Sequence, residues 1–111
     1  MPLLGAPGDP LGWQHGSAGS VRDERRIDCW LRLEDGRIAE ARLEVFGPGA
    51  AIAAAEWLAN WLIGRPVAEV EALSGREIAR RAGVADEARG DALCMEDAMR
   101  AALAAPPGEG G

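Results

Sequence analysis

Tyrosine is missing from this chain and phenylalanine occurs once. Bulky packing area must therefore come from aliphatic residues and from the 4 tryptophans, whose rings carry large buried areas. Histidine also occurs once, which leaves acid–base chemistry few options. No Ser-His-Asp or zincin pattern is present, so no enzyme is expected. Cysteine occurs twice, as Cys29 and Cys94, without CxxC spacing. That usage points to reduced thiols in a cytoplasmic protein rather than a disulfide scaffold. No apolar run approaches the roughly 20 residues of a membrane-spanning helix. The first ten residues lack a basic region and a long apolar core, so no signal peptide is expected. Positive charge is short: 12 basic against 18 acidic residues give a net charge of −6. Nucleic-acid binding needs clustered basic side chains against phosphates and is not expected.

What is present suits one domain. The 111 residues are 48% hydrophobic, with alanine supplying much of that share. A chain of this size buries roughly two-thirds of its unfolded surface, enough for one modest core. Residues 1–20 are rich in Gly, Pro and Ser, without periodicity, and read as a flexible arm from which Trp13 docks on the body. Residues 21–105 read as a single domain, and 106–111, opening on Pro106-Pro107, as a disordered tail.

Ile27, Cys29, Leu31 and Leu33 alternate with Arg26, Asp28, Trp30 and Arg32, which predicts a strand. Glu34-Asp35-Gly36 signals a turn, and Arg37 to Phe46 continues as a second strand. A third strand near Ser20 has no clean pattern. Gly47-Pro48-Gly49 breaks the second strand. Ala50 to Ile63 then shows helical spacing, with Ile52, Ala55, Leu58, Ala59 and Leu62 on one stripe. Gly64 closes that helix and Pro66 opens a short one through Leu73. Ser74 and Glu77 form a capping box for a helix that Gly83 closes. A last helix is expected from about Asp91 to Ala105, with Leu93, Cys94, Ala98, Met99, Ala102 and Leu103 buried. A hairpin followed by helices without βαβ alternation is α+β: a small antiparallel sheet against about four helices.

Several residues carry more than one reading. His15 sits in the Gly-rich arm, where a solvated loop residue outweighs a metal ligand. Trp57 and Trp61, four apart, form either core or a stacking platform. Trp30 lies on the polar phase of its strand, so another element covers it or it is an exposed anchor for a partner. The Gly47-Pro48-Gly49 turn lacks the Lys-Ser/Thr of a phosphate loop.

The turn Asp35-Gly36-Arg37-Ile38, the stretch Phe46-Gly47-x-Gly49-x-Ala51-Ile52-Ala53, and Trp61-x-x-Gly64-Arg65-x-x-x-Glu69 occur in a telling order. With Glu96-Asp97-Ala98 to Ala102-Leu103 they resemble the IscU/NifU-type iron–sulfur cluster assembly scaffold family, over about Arg22 to Leu103. The resemblance implies an IscU/SufE-like fold and a [2Fe–2S] cluster on three thiolates, with an Asp and a His nearby. Thiolates are the soft donors that hold such clusters. The first also accepts sulfur from a desulfurase, a nucleophilic step. Here the first ligand position falls near Asp23, with the motif's aspartate near Arg25. The second falls on Pro48 and the third on Asp91, with Gly90 where the family often has His. The Leu-Pro-Pro-Val-Lys motif of some members would overlie Val84 to Ala88 and is absent.

Cys29, on the apolar phase of a strand, and Cys94, three residues past Asp91, read as core thiols. Asp23 and Asp91 are candidate ligands for a hard divalent ion. Their plainer readings are a solvated charge run and a helix first-turn residue. The expectation is a family member that has lost cluster-building chemistry, with no cofactor, acting as an accessory or regulatory binding protein. Its implied partner is a cysteine desulfurase or another iron–sulfur assembly protein, met through Trp30 and Pro48. The alternatives are a carrier of iron, zinc or a cluster on a site rebuilt from Asp91, Cys94, Asp23 or His15, and a stand-alone interaction module.

Overall fold

Period-two alternation produces the central strand. In Arg25–Glu34 (β2), Ile27, Cys29 and Leu31 are fully buried while Arg26 and Trp30 take the opposite face. Asp35 and Gly36 both adopt positive φ, 52° and 76°, as a two-residue hairpin turn requires. Arg37–Phe46 (β3) returns antiparallel. Register passes from Arg32↔Glu40 to Leu33↔Ile38, so Ala39 is an extra residue in β3. This bulge explains how Ile38, Ala41 and Leu43 all reach the core although Ile38 and Ala41 are out of phase.

The computed structural model describes residues 4–9, 11–20, 22, 24–47, 49–85 and 89–108. Among them the chain forms a three-stranded antiparallel sheet, with β2 in the centre between β3 and a strand at Gln14–Ser20, and four helices, an α+β fold as expected.

The first strand corrects the expectation of a flexible arm through residue 20. Gln14–Ser20 (β1) pairs antiparallel with β2 from Gln14↔Leu31 to Ser20↔Arg25. Its glycines mark close approach rather than freedom. A Cβ at Gly16 would lie 2.2 Å from the amide nitrogen of Ala102. Gln14 Nε2 donates to the carbonyls of Ala102 and Leu103, at 3.0 and 3.2 Å. Trp13 docks as expected, 8% exposed, with the Arg32 guanidinium 5.0 Å from its ring centroid. Part of the expected tail is also held. The Gly108 amide donates to Trp13 O at 2.7 Å, and the Gly12 amide donates to Gly108 O at 3.0 Å.

Helices cover one face of the sheet. Gly49–Leu62 (α1) packs on β3 through Ala51, Ala54, Ala55, Leu58, Ala59 and Leu62, a stripe at helical spacing. Ile52, expected on that stripe, falls beside it and is 41% exposed. Trp57 and Trp61 flank the stripe, partly buried against the core. Val67–Ala72 (α2) is a short helix behind Pro66. Gly75–Ala82 (α3) opens where the capping box predicts: the Glu77 amide donates to Ser74 Oγ at 3.2 Å. Gly83, at φ 70°, closes it in the left-handed conformation. Arg89–Ala104 (α4) lies along β1 and β2 and buries Asp91, Ala92, Cys94, Met95, Ala98, Met99 and Ala102. Leu93 is a further correction. It falls outside that stripe, 49% exposed, beside the backbone of Gly75.

Candidate functional site

The ends of the three strands and the start of α4 meet at one end of the described residues. Ser20↔Arg25 closes the β1–β2 end of the sheet, and Arg26↔Phe46 brings the end of β3 beside it. The first turn of α4 completes the group, because Arg25 Nε donates to Asp91 Oδ1 at 2.6 Å. Gly19, Arg25, Gly90, Leu93, Cys94 and Asp97 line a hollow of about 440 Å³ there. Asp91 and Cys94, both named as candidate ligands, therefore sit together. Asp23 and Pro48 lie outside the described residues.

The chemistry at this end is that of an ion pair. Asp91 is 2% exposed, and its side chain sits in the N-terminal turn of α4, where the helix dipole favours an anion. A buried carboxylate needs a hydrogen-bonding countercharge, and Arg25, with a half-exposed side chain, supplies it. Two glycines give it room. A Cβ at Gly90 would stand 2.9 Å from an Arg25 guanidinium nitrogen, and one at Gly19 would stand 2.1 Å from Arg25 O. Gly19 also holds φ at 77°, a conformation that suits glycine.

Both cysteines sit where burial favours the neutral thiol. Cys94 is 8% exposed, and burial pushes its thiol up; Arg25 opposes that shift, while Asp97 and Asp91 add to it. Cys29 faces the helices from the middle of β2, and burial, with Asp28 adding, pushes its thiol up to about 12. Metal ligation and sulfur acceptance both use the thiolate, which these surroundings disfavour. Among the described residues no group of three or more His, Cys, Asp or Glu side chains could hold a metal ion. The chain has 2 cysteines in all, so it cannot supply three thiolates. The donor set does not fit a thiolate-held [2Fe–2S] cluster, and Asp91 is already taken by Arg25.

The outer sheet face carries a second polar group. His15 Nε2 lies 2.8 Å from Asp28 Oδ1, and Arg26 Nε donates to Asp28 Oδ2 at 3.1 Å. The imidazole stacks on Trp30, with centroids 4.7 Å apart and planes 10° apart. Trp30 is thus half covered by its cross-strand neighbour. It still lines a hollow of about 630 Å³ with Arg26, Glu44 and Phe46. Trp57 and Trp61 stack at 6.1 Å, and the Arg65 guanidinium lies 4.7 Å from the Trp61 ring centroid.

The role of Arg25 escaped sequence reasoning. Its partner is 66 positions away, and no local periodicity links them. The burial of Asp28 had one available signal, an acid flanked by two buried positions with Arg26 two residues before it.

The family profile described as NifU-like N terminal domain matches residues 12–108, which takes in β1 and every later element. The chain belongs to the NifU-like N-terminal domain family. Among its relatives is the iron–sulfur cluster assembly enzyme IscU of Drosophila melanogaster, 32% identical over 71 residues, or 64% of this chain and 46% of the fly protein. Another is the iron–sulfur cluster assembly scaffold protein IscU of Rickettsia prowazekii (strain Madrid E), 31% identical over 71 residues, or 64% of this chain and 54% of the bacterial protein. The matched part of this NifU-like domain spans about half the length of those curated relatives.

Proposed function

We propose that this NifU-like domain is an iron–sulfur cluster assembly protein of the scaffold type that no longer builds the cluster. It acts as an accessory or regulatory binding protein. The observation that carries this reading is the Arg25–Asp91 pair. At the end where the family resemblance puts ligands, the chain has a guanidinium and a carboxylate satisfying each other. The setting is supported by relatives named as cluster assembly proteins.

The reading assigns no catalytic step and no resident cofactor. It places the protein in the cytoplasm, which suits its free cysteines. Among the described residues no helix is long and apolar enough to cross a membrane. The partner is a cysteine desulfurase or another iron–sulfur assembly protein. Phe46 and Leu93, 50% and 49% exposed, offer apolar contact at the paired end; Trp30 and Pro48 are the partner contacts that the sequence leads us to expect.

Calorimetric titration against a cysteine desulfurase tests this. The reading expects a complex that transfers no persulfide to Cys29 or Cys94, and one weakened by Trp30→Ala. No complex at high micromolar concentration removes the desulfurase as partner. Persulfide on either cysteine contradicts the loss of the assembly chemistry.

A further inference from the structure

We propose that Leu4 and Gly5 guard the open edge of β3, and that the partner this edge takes when released is a second copy of this chain. β3 lies at the margin of the sheet, where unpaired backbone groups invite another strand. Its beginning is already occupied. The Ile38 amide donates to Arg65 O at 2.9 Å, and Ile38 O accepts from the Gly64 amide at 2.7 Å. Further along, Leu4 and Gly5 lie parallel to the strand at Leu43. The Gly5 amide donates to Leu43 O at 2.7 Å. Arg42 Nε donates to Gly5 O at 2.9 Å, and its Nη2 donates to Leu4 O at 3.1 Å. Leu4 packs against the core. Every polar contact in this set reads main chain, so a strand of other sequence can satisfy the same groups.

The sequence of β3 suits self-pairing in one register. Leu43 turns its carbonyl toward the edge, so Leu43 facing Leu43 of the second copy forms a hydrogen-bonded antiparallel pair. About that two-fold, Arg42 of each copy stands opposite Glu44 of the other. One residue away, a two-fold at Arg42 would set Arg42 against itself and Glu40 against Glu44. Arg42 serves both states: closed, it holds the carbonyls of Leu4 and Gly5; open, it meets Glu44 across the interface.

Gly5→Pro in the full chain tests this. Proline removes the amide that donates to Leu43 and cannot adopt the φ of 95° found at Gly5. Light scattering from low to high micromolar concentration should give a monomer for the parent chain and twice that mass for Gly5→Pro. Leu4→Asp, which removes the apolar anchor, should release the edge by a second route. Adding Glu44→Arg should abolish the dimer, and adding Arg42→Glu to that variant should restore it. A monomeric Gly5→Pro with an unchanged circular dichroism spectrum overturns the proposal. So does a dimeric parent chain, or a Gly5→Pro dimer indifferent to Glu44→Arg.

Discussion

Arg25 Nε lies 2.6 Å from Asp91 Oδ1 and joins the start of β2 to the first turn of α4. The Asp91 side chain is 3% exposed and that of Arg25 43%. The partners are therefore unequal: losing the arginine strands a buried charge, whereas losing the aspartate leaves a guanidinium that water can reach.

Arg25→Ala should lower stability by about 2–3 kcal/mol, the range for leaving a buried carboxylate without its partner. Adding Asp91→Asn should recover part of that loss, because the stranded charge is then gone. Urea denaturation of both single variants and the double variant gives the coupling. Loss and coupling both below about 0.5 kcal/mol would place the pair among surface contacts.

Gly16→Ala should destabilise the fold by about 1–3 kcal/mol, the usual penalty for overpacking, since its Cβ would enter the backbone of α4. Gly8, with nothing within 4 Å of an added Cβ, is the control. Equal thermal shifts for the two alanine variants would mean that β1 does not pack as described.

The contrast between β2 and β1 shows what the sequence makes legible. β2 announces itself because Ile27, Cys29 and Leu31 alternate with polar neighbours. β1 has no large apolar side chains to alternate; small residues stand there because α4 approaches its backbone. The caps of α3 were readable at Ser74 and Gly83, because capping depends on residues within one turn. Helical spacing alone does not place Ile52 and Leu93, because both helices rest on alanine-rich stripes, which leaves larger residues beside them exposed. The Arg25–Asp91 pair depends on tertiary proximity alone. The family resemblance sets Asp91 at an expected ligand position, but the sequence does not show what faces it.

Glu96 makes stability depend on pH. Its carboxylate accepts from the Gly75 amide at the start of α3 and from Arg100 Nε at 2.8 Å. The Gly75 bond, with Arg100 assisting against burial, holds it below its ordinary value of 4.5. A depressed value means that the contribution is present above 4.5 and is lost as pH falls through the folded value. Glu96→Gln should therefore melt earlier at neutral pH, by about 1 kcal/mol of stability. The difference should shrink as pH falls below 4.5. A deficit independent of pH would mean that charge plays no part.

Thiol reactivity should separate the two cysteines. Cys94 borders the hollow beside Arg25 and should react slowly with a disulfide reagent in the folded protein. Cys29, wholly buried, should react only at the rate of unfolding. Mass spectrometry of partly labelled protein reads the order, and prior labelling of Cys29 would contradict the register of β2.

The most direct test of the central claim is anaerobic incubation with ferrous iron and a sulfide source. Bound iron, acid-labile sulfide and the visible spectrum would then be measured. The account predicts a colourless protein with substoichiometric iron and sulfide, for the parent chain and for Asp91→Ala alike. A stable cluster spectrum with near-stoichiometric iron and sulfide in the parent chain would contradict it.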